Sequence, residues 1–198
     1  MENWWESFVL TFVPLFIVMD TLGNLPLVIA LSAGMLPGER RRMIHLATIT
    51  AAVVGLVFLF FGRFILDVMG ISVGAFTIAG GLILLVLSVN YITTGRLVDT
   101  IKEEMAAVVP IGTPLVVGPA TIATLLLLQV RYPLYIVLIS FALNLVIVWI
   151  TFLLGDSIAR FLGMGGLKAV SRVFSLLLAA IAVSMIINGL ELAGIITS

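Results

Sequence analysis

Pro14-Leu15-Phe16-Ile17-Val18-Met19-Asp20-Thr21-Leu22-Gly23-Asn24-Leu25-Pro26 is an apolar run interrupted at its middle by an acid, two polar side chains, a glycine and a proline. Half a chain later comes Pro110-Ile111-Gly112-Thr113-Pro114-Leu115-Val116-Val117-Gly118-Pro119-Ala120-Thr121, uncharged and again broken by proline and glycine. Each interruption lies inside a segment long enough to cross a bilayer. At that depth, backbone groups released from a helix are tolerated only if they are buried in protein or line a watery cavity. The two breaks therefore mark a site.

The chain around them has 198 residues, 62% of them apolar and 10% charged, with a mean hydropathy of +1.32. Soluble domains carry roughly a quarter charged residues, so this composition is that of an integral membrane protein. The formal charge of zero argues against nucleic acid as a partner, and the absence of cysteine removes disulfides, thiolate catalysis and cysteine-ligated metal. Met1-Glu2-Asn3-Trp4-Trp5-Glu6 has no basic n-region and no small-residue cleavage site follows, so the first apolar run reads as a span rather than a signal peptide.

About 20 residues cross the hydrocarbon core, and six runs qualify: Phe8 to Ala33, Ile44 to Leu66, Val73 to Thr93, Ala106 to Gln129, Pro133 to Leu154 and Val173 to Leu192. Loops after the first, third and fifth hold Arg40, Arg41, Arg42, Arg96, Lys102, Arg160, Lys168 and Arg172, against Arg63 and Arg131 elsewhere. That asymmetry places those three loops in the cytoplasm and both termini outside. Trp4, Trp5, Tyr132 and Tyr135 then suit an outer interfacial belt.

The chain also reads as two copies. Gly62 to Gly70 lines up with Gly155 to Gly163, and Leu87 to Gly95 with Ile181 to Gly189, at a nearly constant shift that also relates Gly23 to Gly118 and Pro14 to Pro110. The expected architecture is one integral membrane domain over residues 1–198, all-α, made of repeat 1 (about 1–100) and repeat 2 (about 101–198). Three spans per copy invert the second copy relative to the first, and helices 1 and 4 are broken near the bilayer centre. Inverted repeats with matching broken helices are the pattern of midplane substrate sites in secondary transporters.

At the first break, Asn24 is a favoured capping residue and Pro26 fits a first helical turn; at the second, Gly118-Pro119 opens a half-helix that carries Thr121 and Thr124. Two helix N-termini would face the bilayer centre and suit a carboxylate or small anion. Carbonyls left near Met19 and Val116 would suit an ammonium or Na⁺. Asp20, the one near-central carboxylate, is either part of an ion or substrate path or a residue that bonds its own turn. Candidate substrate-binding residues are thus Asp20, Thr21, Gly23, Asn24, Thr113, Gly118 and Thr121. Asn90, Thr93, Asn144 and Asn188 could line a cavity or bond between helices, and Gly80-Gly81 permits a close helix approach. Glu39-Arg40-Arg41-Arg42 anchors topology or meets anionic lipid. His45, alone, is no metal site.

Phe12-Val13-Pro14-Leu15-Phe16, Asp20 to Pro26, Pro114 to Ile122 and the closing Leu178 to Gly189 segment together resemble the MarC family of prokaryotic six-span membrane proteins, over essentially the whole chain. Thr21 stands where that family usually has proline, and Ala120 where it often has glycine. An archaeal branch of the family is similar to carriers of glycine and alanine. The resemblance therefore implies a cytoplasmic-membrane secondary transporter of small neutral amino acids, with H⁺ or Na⁺ as coupling ion, membrane lipid around it and no cofactor. No ATP-binding signature is present. The rival classes are an intramembrane enzyme, for which paired aspartates and a well-placed histidine are lacking, and a channel or scaffold.

Overall fold

The computed structural model describes residues 3–94 and 116–196, and every regular element in them is an α-helix. In chain order these are α1 (Trp4–Val18), α2 (Leu25–Leu31), α3 (Pro37–Val68), α4 (Val73–Thr94), α5 (Pro119–Arg131), α6 (Leu134–Leu153) and α7 (Gly155–Leu192). α7 bends at Gly163, whose φ of 66° needs a residue without a Cβ. Among the described residues, four helices are long and apolar enough to cross a membrane: α3, α4, α6 and the part of α7 after its bend.

The first expected span is divided, as its sequence requires. α1 has 15 residues and α2 has 7, so at 1.5 Å per residue they measure about 23 and 10 Å, together matching a hydrocarbon core of about 30 Å. Contacts with α6 give their direction. The Thr11 and Ser140 hydroxyls lie 2.7 Å apart and Asn144 Nδ2 donates to the Phe12 carbonyl at 3.2 Å, while Leu25 and Ile29 close on Gly155 at the far end of α6. α1, the turn and α2 thus run alongside α6 in one direction. The fourth expected span is described only from Val116; its first half, with Thr113, lies outside the described residues, as do Arg96 and Lys102.

The other helices alternate. α3 lies antiparallel to α6, with Arg40 on Asp156, His45 on Trp149 and Gly55 under the Phe141 ring. α5 runs with α7, through Thr124 on Met185 and Arg131 on Asn188. α4 runs against α7: Gly74 faces the Gly189 carbonyl and Gly81 the Ala182 carbonyl, so close that a Cβ on either glycine would stand 2.8–2.9 Å from oxygen. The bundle therefore has a tryptophan end, with Trp4, Trp5, Tyr132, Tyr135, Arg63 and Arg131, and a basic end with Arg40, Arg41, Arg42 and Arg160.

Apolar residues face both ways. On α3 the inner stripe is small, with Ala47, Ala51, Gly55 and Gly62, while Leu46, Ile49, Val53, Leu56, Phe60 and Phe64 are exposed on the outer one. A helix apolar all round is either a core helix or a membrane span, and only lipid satisfies the outer stripe of a helix whose inner stripe is already packed. Small inner residues let the backbones approach, which is how helices associate where lipid removes the usual hydrophobic drive.

Candidate functional site between the two breaks

At the first break the chain leaves α1 through Met19 and turns on Asp20, whose φ of 42° lies in the left-handed region. Aspartate tolerates that region because its side chain bonds its own turn. Here Oδ1 accepts from the Gly23 N–H at 3.1 Å, while the Asn24 N–H closes on the Asp20 carbonyl at 3.0 Å. Gly23 is buried directly against this carboxyl group, which leaves no room for a Cβ. The turn-bonding reading of Asp20 is thus correct. The same residue also lines a cavity.

Asn24 does not cap α2 as expected. Its backbone is already helical (φ −77°, ψ −14°), and Pro26 at the second helical position has no N–H to receive a cap. Its Nδ2 instead reaches back across the break to the Met19 carbonyl at 3.3 Å. The second break does the same thing: Thr121 Oγ donates to the Val116 carbonyl, also at 3.3 Å. Both stitches join a residue to the carbonyl five positions earlier. Each of the two carbonyls thus already accepts one hydrogen bond and keeps one lone pair. α2, at seven residues, is also too short to present much of a dipole. Only α5 offers a helix start, with Gly118 extended and Pro119 first. Its first-turn donors are the Ala120 and Thr121 N–H groups, since Ile122 already bonds the Gly118 carbonyl.

A cavity of about 290 Å³ lies between the breaks, at the small end of the range of about 300–1,000 Å³ typical of ligand pockets. Asp20 and Asn24 line one side, Gly118, Ala120 and Thr121 another, and α4 and α7 supply the rest. Of the sequence candidates, then, Asp20, Asn24, Gly118 and Thr121 are brought together. Gly23 supports the Asp20 carboxyl from behind. Thr21 is buried, 2% exposed, outside the cavity lining, and its hydroxyl has no partner among the described residues. Thr113 lies outside the described residues.

Sequence reasoning missed the walls from α4 and α7. Ser88, Tyr91 and Ser175 line the cavity, whereas Asn90 and Thr93 are exposed elsewhere on α4. Ser88 donates to the Leu84 carbonyl at 2.7 Å and Ser175 to the Ser171 carbonyl at 2.9 Å, so each hydroxyl oxygen keeps acceptor capacity. Asn144 bonds across helices to Phe12, and Asn188 accepts from Arg131 Nη2 at 2.6 Å. His45 accepts from the Trp149 indole at 2.9 Å, and no metal-binding cluster occurs among the described residues.

Toward the tryptophan end the cavity lining continues into buried apolar packing. Val18, Leu84, Ala120, Ala123, Leu178, Ala182 and Met185 form one buried cluster across α1, α4, α5 and α7. Beyond it Arg131 ties the end of α5 to Asn188 and Glu191 on α7.

This chain of zero net charge, helical throughout its described residues and divided between α1 and α2, agrees over its length with a known group: the family described as MarC family integral membrane protein matches residues 5–193. The chain belongs to the MarC family. Similar proteins are a UPF0056 membrane protein of Methanocaldococcus jannaschii, 30% identical over 94% of this chain and 97% of that one, and one of Archaeoglobus fulgidus, 34% identical over 92% of each. The UPF0056 inner membrane protein YhgN of Escherichia coli is 32% identical over 90% of this MarC-family chain and 93% of its own length. No solved structure gives a significant match.

Proposed function

We propose that this MarC-family protein is a secondary transporter of small neutral amino acids, not an enzyme, and that its substrate sits in the cavity between the breaks. The observation that carries the reading is that one cavity is lined both by the Asp20 carboxyl group and by the first turn of α5, whose N–H groups begin that helix. A zwitterion presents an ammonium and a carboxylate, and those two walls suit them in turn. The modest volume and the apolar remainder of the lining suit a short side chain.

An inverted three-plus-three design supports transport rather than static binding. The stitches Asn24 to Met19 and Thr121 to Val116 lie within two residues of corresponding places in the two halves. Helix partners are compatible with such an exchange: the first segment packs on α6 and α7, the described part of the fourth on α3 and α4, and α4 on α7. A buried apolar cluster next to the cavity is what a closed gate in an alternating-access cycle would be built from. On this reading Asp20 is also the group through which H⁺ or Na⁺ would couple.

The test is uptake of labelled glycine and alanine into proteoliposomes under imposed pH and Na⁺ gradients, with the Asn24→Ala variant beside the parent. Accumulation by the parent, and binding weakened by about 1–3 kcal/mol in the variant, the cost of an unmet buried polar partner, are expected. No uptake of either amino acid under any gradient would refute the reading.

A further inference from the structure

A second and larger cavity, about 640 Å³, opens at the basic end between α2, the start of α3 and the α6–α7 junction. We propose that it binds the headgroup of an anionic phospholipid, held by Arg41, and that the bound lipid braces α2 against α3 and α6.

The charges around the cavity are unequal. Arg40 is already committed: Nη1 donates to Asp156, and Nη2 lies 3.5 Å from the Phe152 carbonyl. Glu39 is committed too, its Oε2 accepting from the Leu36 N–H at 3.0 Å in the first turn of α3. No ion pair joins Arg41 or Arg42 to an acid among the described residues, and of these two only Arg41 lines the cavity. A net positive charge is thus left facing it. The Arg40 Nε, buried without an acceptor, adds a further unspent donor in the wall.

The remaining lining favours lipid over a soluble anion. Ile29, Met35, Ile44 and Leu153 make an apolar side, which inorganic phosphate has nothing to occupy but an acyl chain and glycerol do. The cavity lies where arginines end a membrane-spanning helix, the level of the headgroups. A zwitterionic headgroup would bring its own cation beside Arg41, and the one acid in the wall, Asp156, is already paired.

The position gives the lipid a mechanical role. A two-turn helix is not stable alone, and α2 carries Ile29, with Ser32 at its C-cap, on this cavity and Leu27 on the central one. Filling the outer cavity fixes α2, and through it the break at Asn24.

The experiment uses the full chain, delipidated in uncharged detergent. Phosphatidylglycerol or phosphatidylcholine is titrated in, with bound lipid read by native mass spectrometry and stability by thermal unfolding. One arginine at a membrane surface corresponds to about a five-fold change in lipid affinity. Phosphatidylglycerol should bind at least that much more tightly than phosphatidylcholine and raise the Tm. Arg41→Gln should lower its affinity about five-fold or more, and Arg42→Gln, equally basic but outside the lining, about two-fold or less. An unchanged Tm for Arg41→Gln in phosphatidylcholine shows that the variant is folded; a variant that unfolds is replaced by Arg41→Lys, which keeps the charge and should keep the lipid preference. Equal binding of the two lipids, equal effects of the two Gln substitutions, or displacement by millimolar inorganic phosphate would each overturn the proposal.

Discussion

Gly23→Ala tests the geometry of the first break directly. A methyl there would stand 2.5 Å from Cγ and Oδ1 of Asp20, with Oδ2 nearer still, against a comfortable separation of about 3.5–4.0 Å. The carboxyl group cannot slide aside without loss, because Oδ1 holds the Gly23 N–H and the Asp20 backbone is fixed at φ 42°. Overpacking costs about 1–3 kcal/mol and the lost hydrogen bond about 0.5–1.5 kcal/mol. The stiffer unfolded chain returns about 0.4–1 kcal/mol, leaving a destabilisation centred near about 2 kcal/mol. In an Asp20→Gly background the obstacle and the hydrogen bond are gone and the left-handed turn is unstrained, so the same substitution should stabilise by about 0.4–1 kcal/mol. A double-mutant cycle read by denaturing-detergent titration in mixed micelles measures the difference as a coupling energy of about 3 kcal/mol. The same cost of Gly23→Ala in both backgrounds would refute the account, since it would place the clash on a neighbour other than the Asp20 carboxyl.

Two further predictions concern the whole bundle. A reporter fused after Ser198 should be active only in its external form, because eight of ten Lys and Arg residues fall in the loops assigned to the cytoplasm; a cytoplasmic C-terminus would sink that orientation. Because the chain has no cysteine, Ser175→Cys gives a single thiol in the cavity, and an impermeant maleimide should reach it from the basic side. Adding Arg131→Ala releases a half-exposed clasp worth about 1 kcal/mol, which should raise labelling from the tryptophan side about five-fold; no change would remove Arg131 from any gating role.

Breaks were legible because proline and glycine act locally. Pro119 begins α5 and Leu25-Pro26 begins α2, as their sequence implies. What closes each break was not legible, since a carbonyl five residues back is reached only through the particular path of the turn. The missing walls have a rotational cause. Leu84, Ser88 and Tyr91 recur at the helical repeat and share the cavity face of α4, whereas Asn90 and Thr93 each sit two residues, about 200°, from a member of that stripe. Side-chain polarity alone therefore did not point to the cavity face of α4. Ser171 and Ser175, four apart on α7, were the available signal for the other wall. The Arg131 clasp joins residues some 60 positions apart, and no local pattern announces it.

The two breaks share a stitch but not a charge. Asn24 and Thr121 bridge their gaps alike, while the carboxyl group at Asp20 faces a second break that offers only Val116 and Val117 before Gly118. Had the acid been repeated, both walls of the cavity would be anionic, and a ligand with one positive and one negative end would find a repelling site at one of them. On the transport reading, the absence of an acid at the second break lets the start of α5, whose Ala120 and Thr121 N–H groups have no partner among the described residues, act as the opposite pole. Each stitch is a single neutral hydrogen bond at 3.3 Å, worth about 0.5–1.5 kcal/mol net. A ligand that takes over either the carbonyl or the side chain therefore gives up little by opening it. On the transport reading, the geometry at the two turns is weak enough for a small polar solute to exchange with, and that solute would then act on α2 and α5 at once.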